Sequence, residues 1–258
     1  MITFDIQTLI IALVIGAASG AVGAFIILRR MALVGDALSH VALPGIALAL
    51  AYHFDPFWGV VAFCLAAAVV VWALEEKTRL YSDALIGLLF TFNLAIGVLT
   101  IPDTEILESL FGAFTPLTSP EFFFISIAGA AAIALIFLYA KHFLFLIVSP
   151  ELASIKAPRK SRLHGLLLMV LFAFIVALGI KLVGTLLMGA LTIIPATISK
   201  NISRSMSGYI VMSAVLGALI SLAGVFAAGM LHFLPGPTII ILGIALFGIS
   251  LFFTRKFQ

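Results

Sequence analysis

The sequence predicts an all-α integral membrane protein, a polytopic bundle of eight or nine transmembrane helices, one of them short or re-entrant. Three observations carry that prediction. Hydrophobic residues fill 64% of the 258 positions and charged residues only 10%, whereas a soluble domain holds about 45–50% and about 25%. The mean hydropathy is +1.31. The apolar residues also gather into runs approaching the ~20 residues that a helix needs to cross a bilayer. One transmembrane domain therefore covers 1–258, with no room for a sizeable soluble one.

The runs, in order, are 7–28, 33–54, 57–74, 84–101, 121–140, 165–183, 184–199, 209–230 and 236–253. The first is full length and lacks a basic region before it, so no cleavable signal peptide is expected. The third holds the only cysteine, Cys64, which cannot form an internal disulfide. The pair 165–199 is cramped for two spans and a loop, which is why eight segments compete with nine. Charge favours nine. Arg29, Arg30, Lys77, Arg79, Lys141, Lys156, Arg159, Lys160, Arg162, Lys200, Arg204, Arg255 and Lys256 fall after odd-numbered segments or in the tail, and Lys181 alone falls opposite. By the positive-inside rule those loops are cytoplasmic, the amino terminus is outside and the carboxyl terminus inside. A re-entrant 184–199 would put Lys200 and Arg204 outside. The opposite loops carry Asp55, Asp103, Glu105, Glu108 and Glu121. The net charge of +3 does not suggest nucleic acid as a partner.

Polar groups within apolar runs are costly and by default point to function. Asp36 and His40 stand four residues apart in the second run, hence on one helix face. Carboxylate with imidazole suits zinc, manganese or iron. Two ligands are too few for a closed structural site, but they fit a transit point that a second copy of the chain completes. From the residues alone, a structural Asp36–His40 pair stands level with a ligand pair. Pro44-Gly45 follows at once, and either residue can loosen a helix where a path opens. Pro195 interrupts the ladder of the seventh segment as a hinge or a kink, with Thr192, Thr197 and Ser199 available for the freed carbonyls.

Other signals are weaker. His53, Asp55 and His232 lie near outer span ends, as interfacial polar groups or an entry site. His142 and His164 are expected to be solvated in the cytoplasmic loop. Ser82-Asp83 reads as a helix amino-terminal cap, and LFGAF at 110–114 as a re-entrant or interfacial turn. Gly16 and Gly20, Gly184 and Gly189, and Gly224 and Gly229 allow close helix approach, within one subunit rather than at a dimer face. The stretch Ser149–His164 is the longest basic hydrophilic segment, either a plain loop or a short helix outside the bilayer. A P-loop, HExxH and GxSxG are all absent, which argues against ATP binding by this chain and against a membrane protease.

RRMALVGDALSHVALPGIAL at 29–48 resembles the signature of the membrane permease subunits of bacterial ATP-binding-cassette importers for zinc, manganese or iron. SDALIG, LFGAF, SPELASIKA, KLVGTLLMGALTIIPATISK and GPTIIILGIALF follow in that family's order. The resemblance implies a multi-pass permease of the bacterial plasma membrane that is not itself an enzyme. It implies Asp36 and His40 as metal-pathway ligands, facing their counterparts in a second permease copy. It implies a coupling segment within 149–164, with Glu151, Leu152, Ala153, Ile155 and Ala157 docking into cytoplasmic ATP-binding subunits, and gating at Pro44, Gly45 and Pro195. Ala157 stands where relatives usually place glycine, so a helix can continue where theirs turn. The outer acids would face an extracytoplasmic metal-binding protein. No permanently bound cofactor is implied, only the transported ion. The rivals are a secondary transporter driven by an ion gradient and a structural or sensing membrane subunit.

Overall fold

A computed structural model of the chain describes residues 6–78, 82–100 and 119–253. Among the described residues ten α-helices run in order: α1 (Ile6–Leu28), α2 (Val34–Ala51), α3 (Pro56–Thr78), α4 (Ser82–Thr100), α5 (Ser119–Val148), α6 (Pro150–Lys156), α7 (Pro158–Val183), α8 (Met188–Ile202), α9 (Met206–Leu231) and α10 (Pro235–Ser250). A 3-10 turn, Leu251–Phe253, follows. Among the described residues, seven helices are long and apolar enough to cross a membrane; α4 contributes a shorter apolar core, Ala84–Gly97, and α8 has 15 residues.

Small residues decide which helices lie at the centre. In lipid there is no hydrophobic force between helices, so close packing must hold them together. Gly16 and Gly20 of α1 lie directly against the backbone of Gly217 and Ser213 of α9, and Gly23 against Thr192 of α8. A side chain at any of these glycines would overlap the facing carbonyl. The α1 glycine stripe is thus an intrachain contact, and so is Gly224 against Ile239 of α10. Gly45 and Gly59 meet in the same way where α2 crosses α3. The result is a buried centre of α1, α2 and α7, each at least 72% buried over its apolar window, and an outer α5 buried over only 22%. Phe123, Ile127 and Leu138 of α5 and Ile241, Ile244 and Ile249 of α10 stand exposed, as lipid-facing side chains must.

The helix ends differ from those read off the sequence. α5 runs to Val148, through Lys141 and His142. α7 starts at Pro158, with proline at the first helical position, where its missing N–H costs nothing. His142 and His164 are therefore helical, not in a loop, and their rings approach to 4.8 Å between α5 and α7, with Tyr139 beside both. His142 is exposed, as expected, whereas His164 is half-buried. The seventh run divides at Gly184, whose φ of 87° ends α7, and a helix resumes at Met188. The segment LFGAF and the acids Asp103, Glu105 and Glu108 lie outside the described residues, as do Arg79, Arg255 and Lys256. Ser82 is the first residue of α4; the side chains of Ser82 and Asp83 lie outside the described set.

Lys181, the lone base on its side, pairs with Glu121 and so ties the start of α5 to the end of α7. Both side chains are largely buried, 22% and 14% exposed. Lys181→Met leaves the Glu121 carboxylate without this cation. The expected loss is about 1–3 kcal/mol, below the range of a fully buried pair, read as a lower melting temperature in detergent that Lys181→Arg restores.

Candidate metal pathway

The site is built on α2, and its position follows from how that helix is held. α2 is 18 residues long and continuous through Pro44. Gly45 is buried against Gly59 of α3, and Leu43 against Gly97 of α4. Gly35 lies against Gly189 of α8 and Phe172 of α7. α2 thus packs on α3, α4, α7 and α8, with Asp36 in its first turn.

Asp36 is half-buried and His40 is 7% exposed. The carboxylate of Asp36 rests on the bare Cα of Gly189, in space that any larger residue would fill. One turn on, the His40 ring meets Phe90 of α4 edge to face, with centroids 4.9 Å apart at 86°. Its Nδ1 is buried and has no hydrogen-bond partner among the described residues. The Ser39 hydroxyl donates to the Asp36 carbonyl at 2.8 Å, and the Cys64 thiol of α3 lies 3.5 Å from the Leu38 carbonyl. Among the described residues no hydrogen bond or ion pair links Asp36 to His40. A buried polar ring atom is costly unless it is paired, so an unpartnered imidazole nitrogen beside a carboxylate has the chemistry of a cation ligand. Among the described residues no group of three or more His, Cys, Asp or Glu side chains could hold a metal by itself.

The other candidates are placed as follows. Glu151, Leu152 and Ile155 lie exposed on α6, Leu152 and Ile155 at 59% and 79%, while Ala153 is buried. Ala157 does not continue that helix: at φ −155° and ψ 74° it breaks the chain between α6 and α7. Any residue adopts that φ, so the turn does not require glycine. Pro195 is buried in a continuous α8. Thr192, Thr197 and Ser199 donate instead to the carbonyls of Met188, Ile194 and Tyr209. His53 and His232 are exposed and adopt positive φ just past α2 and α9. The Asp55 carboxylate accepts the Phe57 N–H at 2.9 Å at the start of α3. The sequence showed Gly189 only as a packing residue and gave no signal for Phe90, because what faces a helix is a tertiary fact.

A model of the ABC 3 transport family matches residues 1–254. The manganese import system permease protein ScaB of Streptococcus parasanguinis is 33% identical over 97% of this chain and 90% of its own length. The high-affinity zinc uptake system membrane protein ZnuB of Haemophilus influenzae is 28% identical over 95% of each. The solved structure of PsaBC from Streptococcus pneumoniae in complex with Fab is 33% identical and superposes with a TM-score of 0.83, covering 97% of this chain and 91% of that one. An inward-facing putative metal-chelate type ABC transporter, 19% identical, shares the fold with a TM-score of 0.79. With 254 of its 258 residues matched and the same helical fold, the chain belongs to the ABC 3 transport family.

Proposed function

We propose that this protein is the permease subunit of an ATP-binding-cassette importer that carries zinc, manganese or iron inward by alternating access between two permease copies. The observation that carries the reading is the Asp36 carboxylate and the unpartnered His40 Nδ1 on one face of the buried helix α2. A half-shell suits an ion that must leave again, and the same pair from a second copy completes the coordination. The relatives named above move manganese and zinc, and both ions accept carboxylate and imidazole.

In this reading one permease domain fills the chain, crossing nine times if α4 and α8 span as well, with its amino terminus outside. An extracytoplasmic binding protein delivers the ion to the outer mouth. Asp36 and His40 hold it briefly. ATP hydrolysis, which belongs to a separate subunit, moves the exposed face of α6 and reverses the open side. Affinity must differ between the two states, or the ion gains no direction. Pro44, Gly45 and Pro195 lie in the buried helices that would move.

The test is reconstitution of the full chain with its ATPase and binding protein in vesicles, reading uptake of each metal with and without ATP. ATP-dependent uptake supports the importer. Uptake that follows an ion gradient without ATPase supports a secondary transporter, and no uptake supports a sensing role. Ile155→Asp places a charge on the exposed apolar face of α6. It is expected to reduce ATP-driven uptake about tenfold or more, by analogy with a lost interface anchor, with the melting temperature unchanged.

A further inference from the structure

One cavity lies apart from Asp36 and His40. About 680 Å³ in volume, it lies where α1, α3, α5 and α7 end or begin, beside the prolines that flank α6. Its walls are of two kinds. Trp72 of α3 and Leu146 of α5 form an apolar side, and the bare Gly165 of α7 leaves their approach open: a Cβ there would lie 3.7 Å from Leu146 and 4.0 Å from the Trp72 indole nitrogen. Arg29, Arg30 and Arg162 form a cationic side, with Glu75 as the one carboxylate among the described lining residues.

Arg29 is the least well matched of these groups. Arg29 reaches Glu75 only at 3.8 Å, beyond hydrogen-bond length. Its Nη1 is buried with no hydrogen-bond partner among the described residues. Burial works to lower the pKa of this guanidinium and Glu75 opposes it, yet a guanidinium keeps its charge in proteins. A planar donor fork held in this way fits phosphate oxygens. Arg30, next to it, is exposed and holds a left-handed φ of 60° that few non-glycine residues adopt.

From the unpartnered Arg29 Nη1, the exposed Arg30 beside it and the apolar opposite wall, we infer that the cavity binds an anionic phospholipid of the cytoplasmic leaflet, its phosphate on the arginines and its upper chains on Trp72 and Leu146. The cytoplasmic placement rests on the orientation proposed above. Basic pockets between helices on that side of a membrane suit acidic headgroups, and tryptophan favours the same depth. The seat borders α6, so a bound lipid would brace the segment on which the ATPase acts.

The experiment is native mass spectrometry of the full chain in detergent, titrated with phosphatidylglycerol, phosphatidylcholine or inorganic phosphate. Wild type is expected to retain phosphatidylglycerol at least about fivefold better than phosphatidylcholine. Arg29→Gln and, at exposed positions that spare the fold, Arg30→Gln/Arg162→Gln are each expected to cut retention roughly fivefold or more. Gly165→Leu, which fills the apolar side with the arginines intact, is expected to lose the lipid as well. Equal retention of the two lipids, or unchanged selectivity in all three variants, overturns the inference. Inorganic phosphate at millimolar concentration displacing the lipid completely also overturns it. So does an ATPase subunit that displaces the lipid from wild type but not from Arg30→Gln/Arg162→Gln, since the pocket would then be a protein contact. None of these readouts depends on metal transport, so the proposed import function and the lipid seat stand or fall separately.

Discussion

Alanine at Asp36 and His40 together is expected to abolish ATP-driven metal uptake and to leave a folded protein. The loss of a mere supporting partner of a metal ligand costs about 10–100-fold in affinity or activity; in the proposed pathway Asp36 and His40 are the ligands themselves, so losing both is expected to exceed 100-fold. The fold is expected to survive because α2 is held by Gly35, Leu43 and Gly45 against four neighbouring helices, so that losing the His40 contact with Phe90 lowers the melting temperature without unfolding the bundle. Removing a half-buried carboxylate and an unpartnered imidazole from an apolar environment also relieves a desolvation penalty. The measurement is uptake in reconstituted vesicles beside the melting temperature of each variant. Uptake at wild-type rates in both single variants and the double would remove the pair from the pathway. His40→Ala alone with full uptake would leave Asp36 as the ligand and assign the imidazole to packing against Phe90.

Gly189→Ala is the second large effect, and it tests the site from the opposite helix. A Cβ at 189 would overlap the Asp36 carboxylate and lie 2.9 Å from the Asp36 backbone nitrogen. Rotating the carboxylate away relieves only the first clash. The second requires α8 to move off α2. Overpacking of this kind costs about 1–3 kcal/mol, which an assembly of this size tolerates as a lower melting temperature. Uptake is expected to fall more than that destabilisation explains, by about tenfold or more, because an ion site is lost at displacements near 1 Å. The control is Gly224→Ala, which meets Ile239 of α10 far along the chain from the metal ligands. It is expected to lower stability similarly with uptake per folded molecule preserved. Equal uptake losses in the two would show that Gly189 matters for folding alone.

Seven of the expected spans were legible because in a bilayer hydropathy and helix length are nearly the same information. That Asp36 and His40 share one helix face was legible because residues four apart do so. What escaped the sequence depended on contacts across the chain. Lys141 and His142 look like loop residues, yet they belong to α5, whose exposed side tolerates charge beyond the apolar zone. Pro158 was a usable sign for the start of α7, obscured by the basic run that follows it. Ala157 was read as a departure from glycine that could lengthen a helix, but its backbone lies in a region open to every residue, so the turn persists. Gly189 beneath Asp36, Phe90 beside His40 and the approach of His142 to His164 had no linear signature, because each joins helices far apart in sequence.

The 30 residues of α5 have a mechanical consequence. At about 1.5 Å per residue the helix measures ~45 Å, against a hydrocarbon layer of ~30 Å. It therefore projects past the lipid, and its foot joins α6 directly through Ser149 while its head is clasped to Lys181 beside the Gly184 break. An uninterrupted rod with few neighbours along its flank does not absorb a thrust by bending. In the proposed importer, force applied at its base would arrive at the far end as a tilt, delivered one short loop away from the helix that cradles the Asp36 carboxylate.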